Sequence, residues 1–387
     1  MKKTWLILTS LLALLACGGN EDPVPDPDPE PEPPVVEPED DLAFVRGADI
    51  SWASEMAAGG VKFRKKDGTV ADIFTVLADC GFNAVRLRVW VDAYKGWSGQ
   101  DDVVAMARKA QAAGLYTLID FHYSDFFADP SRQRVPAAWE ADRENLDRMC
   151  RHVAEHTTAV LQALKAAGVQ VPFIQIGNET RNGMLWPAGQ LWTQDGDIPE
   201  GRQHFARLYN AGYDAAKAVY GEAAVMPHLN HAYEDNLWWF QQIKAAGGKF
   251  DAIALSHYPQ ADNLDGKGNE TMTSAQCNQR AIENIKKLYA TFQVPVFITE
   301  VGVKPARSDA ASVMSSFFQS AKSLQGNGCA GVFYWEPEVY GGWVPAVYKD
   351  ADAIGKYTGK RETWGSYDQG AFTASGAPSA ILDCFGK

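Results

Sequence analysis

Cysteine is scarce in this chain, six residues in 387. They are widely scattered, with no CxxC pair and no Cys/His cluster, so neither a disulfide framework nor a zinc centre organises the fold. Basic residues are outnumbered, 36 Lys and Arg against 48 Asp and Glu for a net charge of −12. With no basic stripe, nucleic acid is excluded as a partner. The one markedly apolar run near the start, Trp5–Leu15, is too short to remain as a transmembrane helix. No GxGxxG follows the first predicted strand, which removes the main reason to expect a dinucleotide fold. No internal repeat is present, so a solenoid is excluded as well.

What is present at the start reads as an address. Lys2 and Lys3 precede the apolar run, as in a signal peptide, and Leu14-Leu15-Ala16-Cys17 resembles a bacterial lipobox. Residues 1–16 are thus expected to be removed and Cys17 to be lipidated. Residues 17–41 follow as a tether, of which 21–41 hold eight Pro and ten acids. Pro removes backbone donors and like charges repel, so this stretch builds no core and tends toward polyproline II. At about 3.1 Å per residue it reaches roughly 65 Å. The expectation is an outer-membrane lipoprotein at the cell surface, acting as a monomer. The tether carries most of the negative charge, and residues 42–387 keep only −4, which suits a neutral substrate. Lipidation leaves five cysteines, Cys80, Cys150, Cys277, Cys329 and Cys384, read as buried thiols.

From residue 42 the chain alternates short β-branched runs with helix-capable stretches. The predicted strands are Phe44–Ile50, Ala84–Trp90, Tyr116–His122, Phe173–Glu179, Ala224–Leu229, Ala252–Tyr258, Val296–Val301 and Gly331–Glu336. Helix-capable sequence between them, such as that from Asp101 and from Ala206, closes at Gly. Eight such units predict an α/β fold, a (β/α)8 TIM barrel forming a single catalytic domain over 42–387.

Seven of the eight runs end in polar or aromatic side chains: Asp49, Arg86 with Arg88, His122, Asn178 with Glu179, His257 with Tyr258, Glu300, and Trp335 with Glu336. In a barrel these ends open onto one face, where active sites are built. Glu179 and Glu300 end the fourth and seventh runs. Two carboxyls facing each other across a barrel mouth are what glycoside hydrolysis requires, about 5–5.5 Å apart when configuration is retained. Arg86 and His122 are expected beside them, the cation keeping Glu300 ionised, and Tyr258 within reach of the nucleophile. Aromatics add a second signal. Of twelve Trp, Trp52, Trp90, Trp186, Trp192, Trp335 and Trp343 fall at or beyond strand ends. Indole faces stack on the C–H faces of sugars, and Trp335, Trp343 and Trp90 are the candidate platforms.

Taken in order, RGADIS, VRLRVWVD, IDFHYSDFFADP, IQIGNETRNGMLWP, SHYP, the turn Thr299-Glu300-Val301-Gly302 and GVFYWEPE resemble glycoside hydrolase family 53, the endo-β-1,4-galactanases of clan A. The resemblance runs from about Phe44 to the C-terminus. It implies Glu179 as acid/base, Glu300 as nucleophile, and a substrate site including Asp49, Arg86, His122, Asn178, Asn230, His257, Tyr258, Trp335 and Trp343. The implied substrate is the β-1,4-galactan of pectin, cut internally to galacto-oligosaccharides. Two positions depart from the pattern: Asn230 stands where the family often has Asp, and a Trp is common near Phe127. Some bacterial members hold calcium in their late loops. Asp350 and Asp352 do not reproduce such a loop, so no metal or cofactor is expected. The alternatives are another clan-A endo-glycanase, acting on mannan or β-glucan, and a surface glycan-binding lipoprotein without catalysis.

Overall fold

Eight short apolar runs become eight parallel strands in the computed structural model, which describes residues 44–259, 271–358 and 369–386. The signal peptide, Cys17 and the tether lie outside the described residues. The strands are β1 (Val45–Asp49), β2 (Ala84–Val89), β3 (Tyr116–Phe121), β4 (Phe173–Ile176), β5 (Ala224–Met226, then His228–Leu229), β6 (Ile253–His257), β7 (Val296–Val301) and β8 (Cys329–Trp335). Only β8 begins earlier than its predicted run. Pro227 interrupts β5 because it has no N–H for the ladder. The first piece of β5 pairs with β4 and the second with β6, so the sheet closes on itself. The expected (β/α)8 barrel is the observed fold.

Helices surround the barrel. Among them, α1 (Leu146–Ala166) and α2 (Ser274–Phe292) show why these segments are helical. Asn145 accepts from the Arg148 N–H at the start of α1, and Thr273 and Gln276 form a reciprocal capping box on α2. Met149, Val153, Thr157, Val160, Leu161 and Leu164 recur every three or four residues on α1 and are the residues it buries.

Strand alternation explains the barrel interior. Val45, Ala84, Leu118, Phe173, Met226, Ala254, Phe297 and Phe333, one from each strand, make an apolar lower layer. Gly47 leaves room for it, since a Cβ there would lie 2.0 Å from the Phe333 ring. Two residues farther along, the same inner face turns polar, with Arg86, Asp120, Gln175, His228 and Ser256 all buried. On β7 the register slips between Ile298 and Val301, where Ser256 pairs with Glu300. Simple alternation from Phe297 would aim Thr299 inward, and the bulge brings Glu300 to the mouth instead.

Candidate active site

Arg86, on the inner face of β2, organises the floor. It contacts Asp49 Oδ2 at 2.6 Å, Asp120 Oδ2 at 2.8 Å and Glu300 Oε1 at 3.0 Å. It also donates to Asn178 Oδ1 at 2.9 Å. Burial works against a charge here, yet Asp120, Glu300 and Asp49 together hold the guanidinium firmly protonated. Only arginine offers a flat fork of donors able to serve several acceptors at once.

Glu300 takes a second hydrogen bond, from the Tyr258 hydroxyl to Oε2 at 2.8 Å. Burial pushes its carboxyl up from the ordinary range, while Arg86 and Tyr258 pull it back. The cation expected beside it is present, but it works against burial. The Tyr258 bond favours the ionised form, so Tyr258→Phe should push this carboxyl further up. A hydrogen bond to a charged group contributes about 1.5–3 kcal/mol, so the acidic limb of kcat/KM should move about one to two pH units higher. A pH–rate profile checks this, and an unmoved acidic limb would refute the coupling.

Glu179 stands just past β4, on a turn that needs glycine before it. Gly177 has φ +79, and a Cβ there would lie 2.6 Å from the Thr180 methyl. Glu179 itself has φ 47, a conformation costing a side chain about 1–3 kcal/mol. Its N–H donates to His228 Nδ1 at 3.3 Å. His228 also lies 2.8 Å from Asn178 Oδ1 and 2.9 Å from Ser256 Oγ. Burial, aided by the Arg86 charge, pushes its imidazole well down, so it is neutral. His122 Nδ1 accepts from the Ala128 N–H at 3.0 Å, which places its proton on Nε2, 2.9 Å from Asp120 Oδ2.

Asp49, Arg86, His122, Asn178, Glu179, Asn230, Tyr258, Glu300 and Trp335 together line one cleft of about 320 Å³ at the mouth. The Trp335 ring lies 6.0 Å from Tyr258 and 6.4 Å from Phe127, edge-on to both. Trp343 lines an adjoining hollow of about 230 Å³ that shares Trp335 and Gln369 with the cleft. One expected substrate contact is corrected. His257 is fully buried on the outer face of β6, 2.8 Å from Asn278 Oδ1 on α2 and with its ring 4.4 Å from that of Phe317. Ser256 before it faces the interior and Tyr258 after it reaches the cleft, so alternation sends His257 outward. Trp90 is corrected too: it is 2% exposed, packed against Phe126 and beneath Arg88.

Other residues of the site are absent from the expected substrate contacts, although Arg88 and Glu336 are among the polar strand ends. Asp120 and Gln175 sit below the carboxylates, with Gln175 Nε2 donating to Asp120 Oδ1 at 2.6 Å. Stepping back two residues from His122 or from Gly177 would have found them. Arg88 lies over the Trp52 ring at 3.9 Å and donates to Glu336 Oε1 at 2.7 Å. Burial pushes Glu336 up to about 8, against the pull of Arg88. Phe127, His231 and Gln369 also line the walls. Among the described residues no group of three His, Cys, Asp or Glu side chains is gathered to hold a metal. Asp350 caps the helix Ala351–Thr358 through the Asp352 and Ala353 N–H groups and accepts from the Tyr94 hydroxyl.

A buried carboxylate steadied by a cation and a phenol, a second carboxyl in the same cleft, and an indole wall form a constellation suited to glycosyl transfer by double displacement. Comparison with known proteins points the same way. The relatives include an arabinogalactan endo-beta-1,4-galactanase of Cellvibrio japonicus, 30% identical over 77% of this chain and 81% of that protein. A solved structure of fungal beta-1,4-galactanases superposes with a TM-score of 0.69 at 26% identity, covering 88% of this chain and 98% of the other. The GH53 catalytic domain of Ignisphaera aggregans gives 0.71 at 25% identity, covering 91% and 99%. The family model for glycosyl hydrolase family 53 matches residues 45–311, and the chain belongs to that family.

Proposed function

We propose that this chain is a retaining endo-β-1,4-galactanase acting on internal bonds of pectic galactan and type I arabinogalactan, with Glu300 as nucleophile and Glu179 as acid/base. The observation that carries the reading is Glu300, poised between Arg86 and Tyr258 in the cleft that Glu179 and Trp335 also line. The galactanase names of the relatives support the choice of substrate. In the first step Glu300 Oε attacks the anomeric carbon and Glu179 gives its proton to the departing glycosidic oxygen. In the second, Glu179 takes a proton from water, the water oxygen attacks the same carbon, and the bond to Glu300 breaks. Two inversions leave the configuration retained. Trp335 offers the reacting ring an apolar wall, and Trp343 extends it for a longer chain.

Digestion of galactan, mannan and cellulose in parallel tests the substrate. Galactan alone should yield reducing ends, as galacto-oligosaccharides whose first-formed anomer is β by NMR. Release from mannan or cellulose instead would transfer the reading to another endo-glycanase, and release from none would leave a binding protein. We further infer that Cys17 carries a lipid in the outer membrane and that the acidic tether holds the barrel off the cell surface. The support is the lipobox and the Pro-Asp-Glu composition. Cys17→Ala should then leave the protein in the soluble fraction or unprocessed; unchanged processing with continued membrane association would overturn the anchor.

A further inference from the structure

Arg181 lies two residues beyond Glu179 and joins the loop after β4 to the loop after β5. Its Nε donates to Asn230 Oδ1 at 2.8 Å and its Nη2 to the Asn230 carbonyl at 3.1 Å. The same Nη2 donates to Asn236 Oδ1 at 2.7 Å and lies 3.3 Å from Glu234. Asn236 passes the restraint on, donating to the His231 carbonyl at 3.1 Å. Glu179 and His231 both line the cleft, and both have left-handed backbone, φ 47 and 56. Both belong to the segments that Arg181 ties together, since its own N–H donates to the Glu179 carbonyl at 3.0 Å.

The bond to Asn230 has a chemical consequence. Arginine carries donors and no acceptor, so the atom of the Asn230 amide that faces it must be the oxygen. The amide NH2 is thereby turned to the opposite side. Asn230 is 5% exposed and lines the cleft, so the group it can present to a sugar is a donor. An aspartate here would also bond to Arg181 but would bring only a second acceptor. We propose that Arg181 is a positioning residue that fixes the Asn230 amide with its N–H toward the substrate. The pair then selects a sugar oxygen that accepts a hydrogen bond at this point of the cleft. This rests on the glycan-hydrolase reading given above.

A double-mutant cycle on KM tests it, using the full-length enzyme and whichever polysaccharide the wild type hydrolyses. Asn230→Ala and the isosteric Asn230→Asp should each raise KM about tenfold, the loss of one hydrogen bond to a sugar hydroxyl. Arg181→Met should raise KM by a similar factor. Combining Arg181→Met with Asn230→Ala should add less than twofold to either alone, because one residue acts through the other. Arg181→Lys keeps the charge and one donor but not the fork, and should recover part of the loss. If Arg181→Met does not fold, as judged by its melting curve, the cycle is run with Arg181→Lys. Multiplying KM effects, or an Asn230→Asp enzyme with wild-type KM, would overturn the positioning role. A wild type active on mannan in place of galactan would overturn the galactanase reading but leave this test intact. A wild type active on no polysaccharide would overturn both.

Discussion

Glu300→Gln should fold as the wild type does and lose at least about a thousandfold in galactan hydrolysis, the order expected when a nucleophile is removed. Glutamine has the shape of the glutamate, so the β7 bulge and the Tyr258 hydrogen bond have no steric reason to change. Burial already penalises the Glu300 charge, and Arg86 would keep Asp49 and Asp120 as partners. The melting temperature should therefore stay near that of the wild type, which separates lost chemistry from lost structure. Glu300→Gly should regain activity with azide, which fits the vacated space and attacks the same carbon, giving a glycosyl azide of inverted configuration. Glu179→Gln should be equally inactive on the polymer, whose leaving alcohol needs a proton. Glu179→Gly should retain activity toward aryl galactosides that leave without one. An inverted glycosyl azide from the Glu179 variant and not from the Glu300 variant would exchange the two roles.

Much of this site follows from the rule that strand ends converge in a barrel. Asp49, His122, Asn178, Glu179, Tyr258, Glu300 and Trp335 stand at or just beyond strand ends, Arg86 three residues before the end of β2, and all meet in one cleft. The rule is silent about which face of the strand a residue occupies, and for that reason it places His257 in the cleft although the ring points outward. The period of two settles it, because Ser256 bonds His228 inside the barrel. The same period finds Asp120 and Gln175, which do not look like site residues when only strand ends are considered. Glu300 is the opposite case. Alternation counted from Phe297 would have turned it away, and only the register slip on β7 brings it round. A bulge of that kind depends on pairing with both neighbouring strands, which local sequence does not encode. Trp90 and Trp52 show a further limit: a tryptophan at a strand end can be a wall of the cleft or the packing beneath Arg88, and composition does not distinguish them.

The hub beneath the cleft carries the remaining large expectation. Arg86→Met should cost about 3–5 kcal/mol of stability, the usual result of removing one partner from a buried ionic cluster. Methionine fills much of the space but leaves Asp49, Asp120 and Glu300 facing one another without a counter-charge. The melting temperature at neutral pH should fall by roughly 5–10 °C. The pH dependence of that deficit distinguishes lost charge from lost packing. In the wild type, burial raises the Glu300 carboxyl and Arg86 opposes it, so without Arg86 its folded-state value rises further. A carboxyl raised in the folded state binds a proton there more readily than in the unfolded chain. Stability then falls as pH rises through the window between the ordinary carboxylate range and the raised value. The gap between mutant and wild type should be widest above the raised value and narrow as pH falls toward the ordinary carboxylate range, where Glu300 in the mutant takes up a proton. A cavity in a purely steric sense would give the same deficit at either end. Activity should follow the charge as well, since a protonated Glu300 cannot attack. The acidic limb of kcat/KM should shift upward with a lower plateau, further than in Tyr258→Phe because a full charge is lost instead of one hydrogen bond. Melting curves from pH 5 to 8 beside pH–rate profiles measure both, and a deficit that does not change with pH would mean that Arg86 is held there for its shape.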